Sequence, residues 1–448
     1  MQEFEFKYAP KWEISSQSIR NLDKKRSDMN RNITLSWFQS CGDPFIYLSK
    51  YTLEKTKSYL ESIKRSSNRI NKKNLNLFDR LVLQDINANV QSMETYYDFT
   101  HNIEKDVSIG KALEGMFGKC AYTSILNSVT PKNYPHKLIH EYSEMMLDMS
   151  IVRLDPAIVS TSNREIFKKI RQEIEENLET KKQDAIDFYK EKGVLKQEGD
   201  FFIEVDWSRG AFSWWDDSNR IVAVDPGRFI YFRDSTNRYK LYDAAIYPIV
   251  IHELGHGLNS IMSKQTMPEG LAPSMIHYIC QVHGINSEGV AMELEKNWLR
   301  VAKDNLSKYN LSTEDFNRIN LKSKTYVANK MMQLAKEVFE IEFFKLYNSE
   351  KSVSSYAKNE GRRKISELTK IKQFCSDWYL LGDQENSETF QHLTYFFGEK
   401  RTNKLMKKLK QEKIPEDKAL SALLTGAWCD PKAQEQFIFE LYLPRISK

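Results

Sequence analysis

Cysteine is scarce in this chain. Cys41, Cys120, Cys280, Cys375 and Cys429 are five in 448 residues, widely spaced and odd in number, with no C-x-x-C among them. That excludes a disulfide framework and a Cys-rich structural zinc site, and it predicts a reducing compartment. Long apolar runs are missing too. No stretch of 18 apolar residues occurs, so no membrane-spanning helix is expected. Met1 to Arg20 has no apolar segment of the kind a signal peptide carries, which makes a cytoplasmic protein the expectation. Charge of one sign is also wanting. A net charge of +5 is small for this length and gives no case for a nucleic-acid partner. There is no internal repeat and no low-complexity linker.

What is present suits a large globular enzyme. Hydrophobic residues make up 41% and aromatic residues 12% of the chain, enough for a deep core. Up to about residue 196 the pattern is helical. Tyr51–Arg65, Leu75–Phe99 and Ile166–Tyr189 have amphipathic spacing and few breakers, and punctuation falls at Gly42-Asp43-Pro44, Pro131 to Pro135 and Asp155-Pro156. The charge run from Arg164 to Lys192 reads as a solvated helix face. Between Glu198 and Tyr242 the character changes. Phe201–Trp207, Ile221–Val224 and Arg228–Phe232 are β-branched and aromatic, separated by turn formers, and predict a small antiparallel meander. Helix returns near Tyr247 and runs to about Met262. A polar connection carries Pro268, Gly270 and Pro273, and helix resumes near Ser274, breaks around Gly284, resumes at Ser287, and runs on with breaks near Asn310, Asn348, Gly382-Asp383 and Pro415. The expected fold is mainly α: an N-terminal helical lobe (1–196) and a second lobe (197–448) around a deep cleft, with the meander beside the helix that follows it.

That helix holds Ile251-His252-Glu253-Leu254-Gly255-His256-Gly257, an H-E-x-x-H run in a chain with only 8 histidines. Residues four apart share a helix face, so His252 and His256 point the same way and can grip one metal ion. Glu253 beside them can serve a water as general base. This is the arrangement of a zinc hydrolase. Such a zinc needs a third protein ligand. Glu269, His277, His283, Glu288, Glu293 and Glu295 follow in the chain. Glu269 sits in a Pro/Gly-rich connection and His283 next to a break, whereas a second packed helix holds a ligand better. In Ser287–Glu295, Gly289 and Ala291 allow close approach, and Glu288 and Glu295 share a face, with Glu293 about 140° round from Glu288. Glu288 is the expected ligand. Glu295 is the alternative ligand, or a carboxylate that orients a histidine.

His252-Glu253-Leu254-Gly255-His256 followed by Glu288 on a second helix resembles the gluzincin metallopeptidases. The similarity is to those built almost wholly of helices: the thimet-oligopeptidase and oligoendopeptidase group, the Taq-type carboxypeptidases and the angiotensin-converting-enzyme group. Glu295, seven after Glu288, is similar to a second Glu of the oligopeptidases, and Tyr395-Phe396-Phe397-Gly398 resembles an aromatic-plus-Gly helix of related peptidases. The resemblance implies zinc held by His252, His256 and Glu288, with Glu253 as general base, acting on the peptide bonds of short peptides in the cytoplasm. A tyrosine is a fitting donor to the developing oxyanion. Tyr395 is the expected one, with Tyr379 and His392 as alternatives, and Arg362 and Arg363 as candidates for a substrate carboxylate. Two other readings remain open: a zinc-dependent amide or ester hydrolase that tailors or matures its substrate, and an inactive helical scaffold.

Overall fold

The computed structural model describes residues 2–39, 50–101, 164–205, 246–272, 281–325 and 391–447, with short pieces between 114 and 152 and between 212 and 244. Helix dominates these residues, as the sequence predicts. They form α1 (Gln17–Gln39), α2 (Lys50–Ser67), α3 (Leu77–His101), α4 (Arg164–Glu191), α5 (Ile246–Thr266), α6 (Gln281–Asp304), α7 (Gln391–Gln411), α8 (Glu416–Leu423) and α9 (Pro431–Gln436). The expected segments at 51–65, 75–99 and 166–189 coincide with α2, α3 and α4 to within two residues at each end. Periodicity explains the success. In α3, Phe78, Leu81, Val82, Ile86, Val90 and Met93 recur at helical spacing and are all buried.

α5 is the central helix. From Ile246 to Thr266 only Ile249, Lys264 and Gln265 escape burial, so it is enclosed on every side. It packs against α4, α6 and strands β5 and β6 described below. Pro248 is the third residue of α5, in the first turn, where its missing N–H costs no helical bond. The polar side chains of α5 that face away from the site are answered by the C-terminal segment. Asn259 and Ser263 both donate to the Leu424 carbonyl, at 2.9 and 3.0 Å, and Gly426 N–H donates to Ser263 Oγ at 2.8 Å.

Three small sheets accompany the helices. β1 (Glu5–Phe6) pairs with β3 (Leu195–Gln197), so the N-terminal segment is partly strand, where helix was expected. β4 (Phe202–Val205), β5 (Phe212–Trp215) and β6 (Arg220–Val224) form a sheet in the order β4-β6-β5. β2 (Ile151–Val152), β7 (Tyr231–Arg233) and β8 (Tyr239–Leu241) form a separate one. β4, β6 and β7 overlap the three expected strand segments, whereas β5 and β8 match none of them. The order is not that of a simple meander, since β7 belongs to a different sheet from β4 and β6. β4 runs parallel to β6, and β5 closes a hairpin on the other side of β6. Turn formers mark where strands end; they do not say which neighbour a strand takes.

A second difference lies in α6, which runs unbroken through Gly284. One glycine costs a helix about 1 kcal/mol, less than the packing of α6 against α5 and α7 supplies. The breaks expected near Asn310 and Pro415 are present. Asn310 takes a left-handed conformation (φ 50°), and Pro415 caps α8. The expected breaks at 42–44, 131–135, 155–156, 348 and 382–383 lie outside the described residues. One hydrophobic core runs from Phe4 through α1, α3, α4 and α5 to Leu443. Among the described residues, no helix is long and apolar enough to cross a membrane.

Candidate metal centre

α5 and α6 bring three donor atoms together. His252 Nε2 and His256 Nε2 are 3.1 Å apart, one helical turn from each other. Glu288 Oε2, from α6, lies 3.3 Å from the first and 3.5 Å from the second. All three side chains are buried, Glu288 to 1% exposure. The donors form a triangle with nearly equal edges. A tetrahedral metal with bonds of 2.0–2.2 Å holds its ligands at edges of roughly 3.3–3.5 Å. Glu288 makes no well-formed hydrogen bond, and its Oε2 has only the ion-pair contacts to the two imidazoles at 3.3 and 3.5 Å among the described residues. A buried carboxylate left in that state costs free energy unless a cation answers it. Two imidazoles and a carboxylate are a donor set suited to zinc, so the residues fit the metal that the motif implies.

The surroundings fix these groups. His252 Nδ1 faces Glu295 Oε2 at 3.5 Å, and Ser323 Oγ donates to the other oxygen of Glu295 at 2.5 Å. His256 Nδ1 is hydrogen-bonded to Ser287 Oγ at 2.7 Å. The Tyr189 hydroxyl, from α4, donates to the Ile251 carbonyl at 2.6 Å and so holds the turn of α5 that carries His252. Gly255 makes room for this. A Cβ there would stand 3.0 Å from Leu294 Cδ1, 3.3 Å from the Tyr189 hydroxyl and 3.4 Å from Ala291 Cα. Electrostatics follow from the crowding of carboxylates. Burial alone would lower the pKa of His252, but Glu288, Glu295 and Glu253 hold it up at about 10. Burial would raise that of Glu288, and the two histidines hold it down at about 2.

No family model and no curated protein matches the chain. Among solved structures it is similar to a carboxypeptidase of Pyrococcus furiosus in an apo-Mg form, at 11% identity over 96% of this chain and 99% of that one, with a TM-score of 0.39. It is also similar to metallocarboxypeptidase 1 of Trypanosoma cruzi, at 11% identity over 95% of this chain and 99% of that one, with a TM-score of 0.36. At these overlaps the atoms of the site, not the likeness, carry the function proposed below.

The other residues singled out in the sequence divide clearly. Glu253 is buried on α5 beside the triangle. Glu295 reaches the outer nitrogen of His252, away from the side where the two Nε2 atoms meet. Glu293 points elsewhere and pairs with Arg300 at 3.4 Å. Glu269 lies in a short 3-10 turn and accepts from Ser27. Tyr395, on α7, lays its ring along that of His252, with centroids 6.4 Å apart and planes 23° from parallel. His277, Tyr379, Arg362 and Arg363 lie outside the described residues, as do the side chains of His283 and His392. Ser287, Ser323 and Tyr189 carry no sequence signal of their own. Of the three, only Ser287 could have been suspected, because it stands next to Glu288.

Proposed function

We propose that this chain is a zinc-dependent metallopeptidase that hydrolyses the peptide bonds of short peptides. The observation that carries the reading is the donor triangle of His252, His256 and Glu288, with Glu253 buried on the same turn of α5. When bound, zinc supplies Lewis acidity and makes a water nucleophilic near neutral pH. Glu253 would accept the proton of the attacking water and pass it to the leaving amine. Tyr395, with its ring against His252, donates its hydroxyl to the oxyanion that develops on the scissile carbonyl. Two buried carboxylates, Glu253 and Glu288, and the partly buried Glu295 around two imidazoles give the centre the negative charge a divalent cation needs.

The test is zinc content together with digestion of a mixed peptide library. The parent should hold one zinc and cleave peptides. Glu253→Gln should keep the zinc and lose activity by about 10²–10⁴-fold, the usual worth of a positioned proton acceptor. Tyr395→Phe should keep both zinc and peptide binding while turnover falls. A parent that cleaves simple esters or other amides and no peptide removes the peptidase reading, and a Glu253→Gln enzyme with parental turnover removes Glu253 as the base.

A further inference from the structure

Two successive residues of α6 reach opposite nitrogens of one ring. Glu288 Oε2 lies 3.5 Å from His256 Nε2, and Ser287 Oγ lies 2.7 Å from His256 Nδ1. Ser287 is 6% exposed and His256 4%. The outer partner of the other imidazole is different in kind. His252 Nδ1 faces a carboxylate, that of Glu295, at 3.5 Å. That distance is an ion-pair contact, whereas 2.7 Å is a hydrogen bond. The tighter hold on the pair of rings is therefore the neutral hydroxyl.

We propose that Ser287 is a positioning residue for the metal centre. Its oxygen accepts the Nδ1–H of His256, which fixes the rotation of the ring and leaves the Nε2 lone pair aimed at His252 Nε2 and Glu288. This rests on the zinc reading above. The torsion that turns an imidazole about Cβ–Cγ is broad, so the ring needs an outer partner to stay in one orientation. The same partner selects the tautomer. A proton on Nδ1 leaves Nε2 able to ligate, and a proton on Nε2 does not. Ser287 also ties the ring to the helix that supplies the carboxylate. A shift of α6 along α5 would move the partners at both ends of the His256 ring together. A serine inside a helix commonly turns its hydroxyl back to a carbonyl of the preceding turn, and here its oxygen also stands within hydrogen-bond distance of the ring.

Zinc transfer to a chromophoric chelator tests this, using the full chain as parent, Ser287→Ala and Ser287→Thr, beside thermal melting of each protein with the metal removed. Outer partners of metal-bound histidines are worth about 10–100-fold in affinity. The alanine variant should lose zinc affinity by that factor, the threonine variant should stay close to the parent, and the metal-free melting temperatures should agree. An alanine variant with parental affinity overturns the role of Ser287. So does equal weakening in both variants accompanied by lower metal-free melting, which marks a packing effect. A parent that takes up no zinc overturns the zinc reading itself, and is distinguished from the other two outcomes by its own zinc content.

Discussion

His252 and His256 announced themselves in the sequence because their geometry is local: a separation of four residues is one turn of any helix. Glu288 took one further step, the assumption of a second packed helix. Tyr189 has no signal in the sequence, and Ser287 only its place beside Glu288, because their roles depend on which rotamer meets which ring or carbonyl, and no spacing encodes that. The pairing of His252 with Glu288 has a consequence that can be measured once the metal is stripped. His252 is held at about 10 against its usual 6.5, so its contribution to stability is complete below 6.5 and is lost as pH rises through 10. Glu288 is held at about 2 against 4.5, so its contribution is complete above 4.5 and is lost as pH falls through 2. The two shifts describe one ion pair and count once. The metal-free protein should therefore melt progressively lower from pH 7 to pH 10, and Glu288→Gln should flatten that slope. Parallel pH profiles for the parent and Glu288→Gln would show that the pair does not hold the proton.

At the scale of elements, the contact between α6 and α7 places Tyr395 over His252 while α6 delivers Glu288. Gly289 is where the two helices meet. A Cβ there would run into the Gly398 carbonyl and Thr402 Oγ1, both inside contact distance. The Thr402 side chain can turn, but the Gly398 carbonyl is backbone of a packed helix and cannot. Gly289→Ala gains about 1 kcal/mol of helix propensity and loses about 1–3 kcal/mol to overpacking, so the net change should be destabilising. Gly255→Ala is the control, since its nearest neighbour would be a leucine methyl at 3.0 Å that can move. Denaturant unfolding should show Gly289→Ala as the less stable of the two, and the reverse order would mean that α6 and α7 separate at little cost. The same close packing explains why a helix break near Gly284 was read into the sequence and is absent. Burial of α6 between α5 and α7 outweighs a local preference. The sheet order β4-β6-β5 was illegible for a related reason, because strand ends are local and strand partners are not.

Across the whole molecule, a buried polar cluster ties distant parts of the chain together beside the hydrophobic core, and the sequence shows nothing of it. Arg26, fully buried in α1, donates to Asp85 Oδ2 of α3 at 2.7 Å and to Asp23 Oδ1 at 2.6 Å. Asp23 Oδ2 accepts the N–H of Gly270, just beyond α5, at 2.9 Å. Asp85 Oδ1 accepts the N–H groups of Cys429 and Asp430, ahead of α9, at 2.7 and 2.8 Å. One guanidinium thus binds α1, α3, the turn after α5 and the C-terminal segment into one body. Burial would lower the pKa of Arg26, but Asp23 and Asp85 outweigh it and keep the charge. Burial raises that of Asp85 even beside Arg26, which marks how poorly solvated the carboxylate is. Removing the cation leaves two buried carboxylates without the guanidinium that bridges them, and breaking a buried pair in this way costs about 3–5 kcal/mol. Arg26→Met keeps the volume and removes the charge. It should lower unfolding stability by that amount and loosen the metal centre indirectly, through the turn at Gly270. Changing Asp23 and Asp85 to Asn in the Arg26→Met background keeps their oxygens as acceptors for Gly270, Cys429 and Asp430 while removing the stranded charges. Much of the lost stability should then return. A loss below about 1 kcal/mol in the single variant would place Arg26 among weak surface-like pairs, and a triple variant no better than Arg26→Met would show that the guanidinium's own hydrogen bonds, not the stranded carboxylates, were what the fold required.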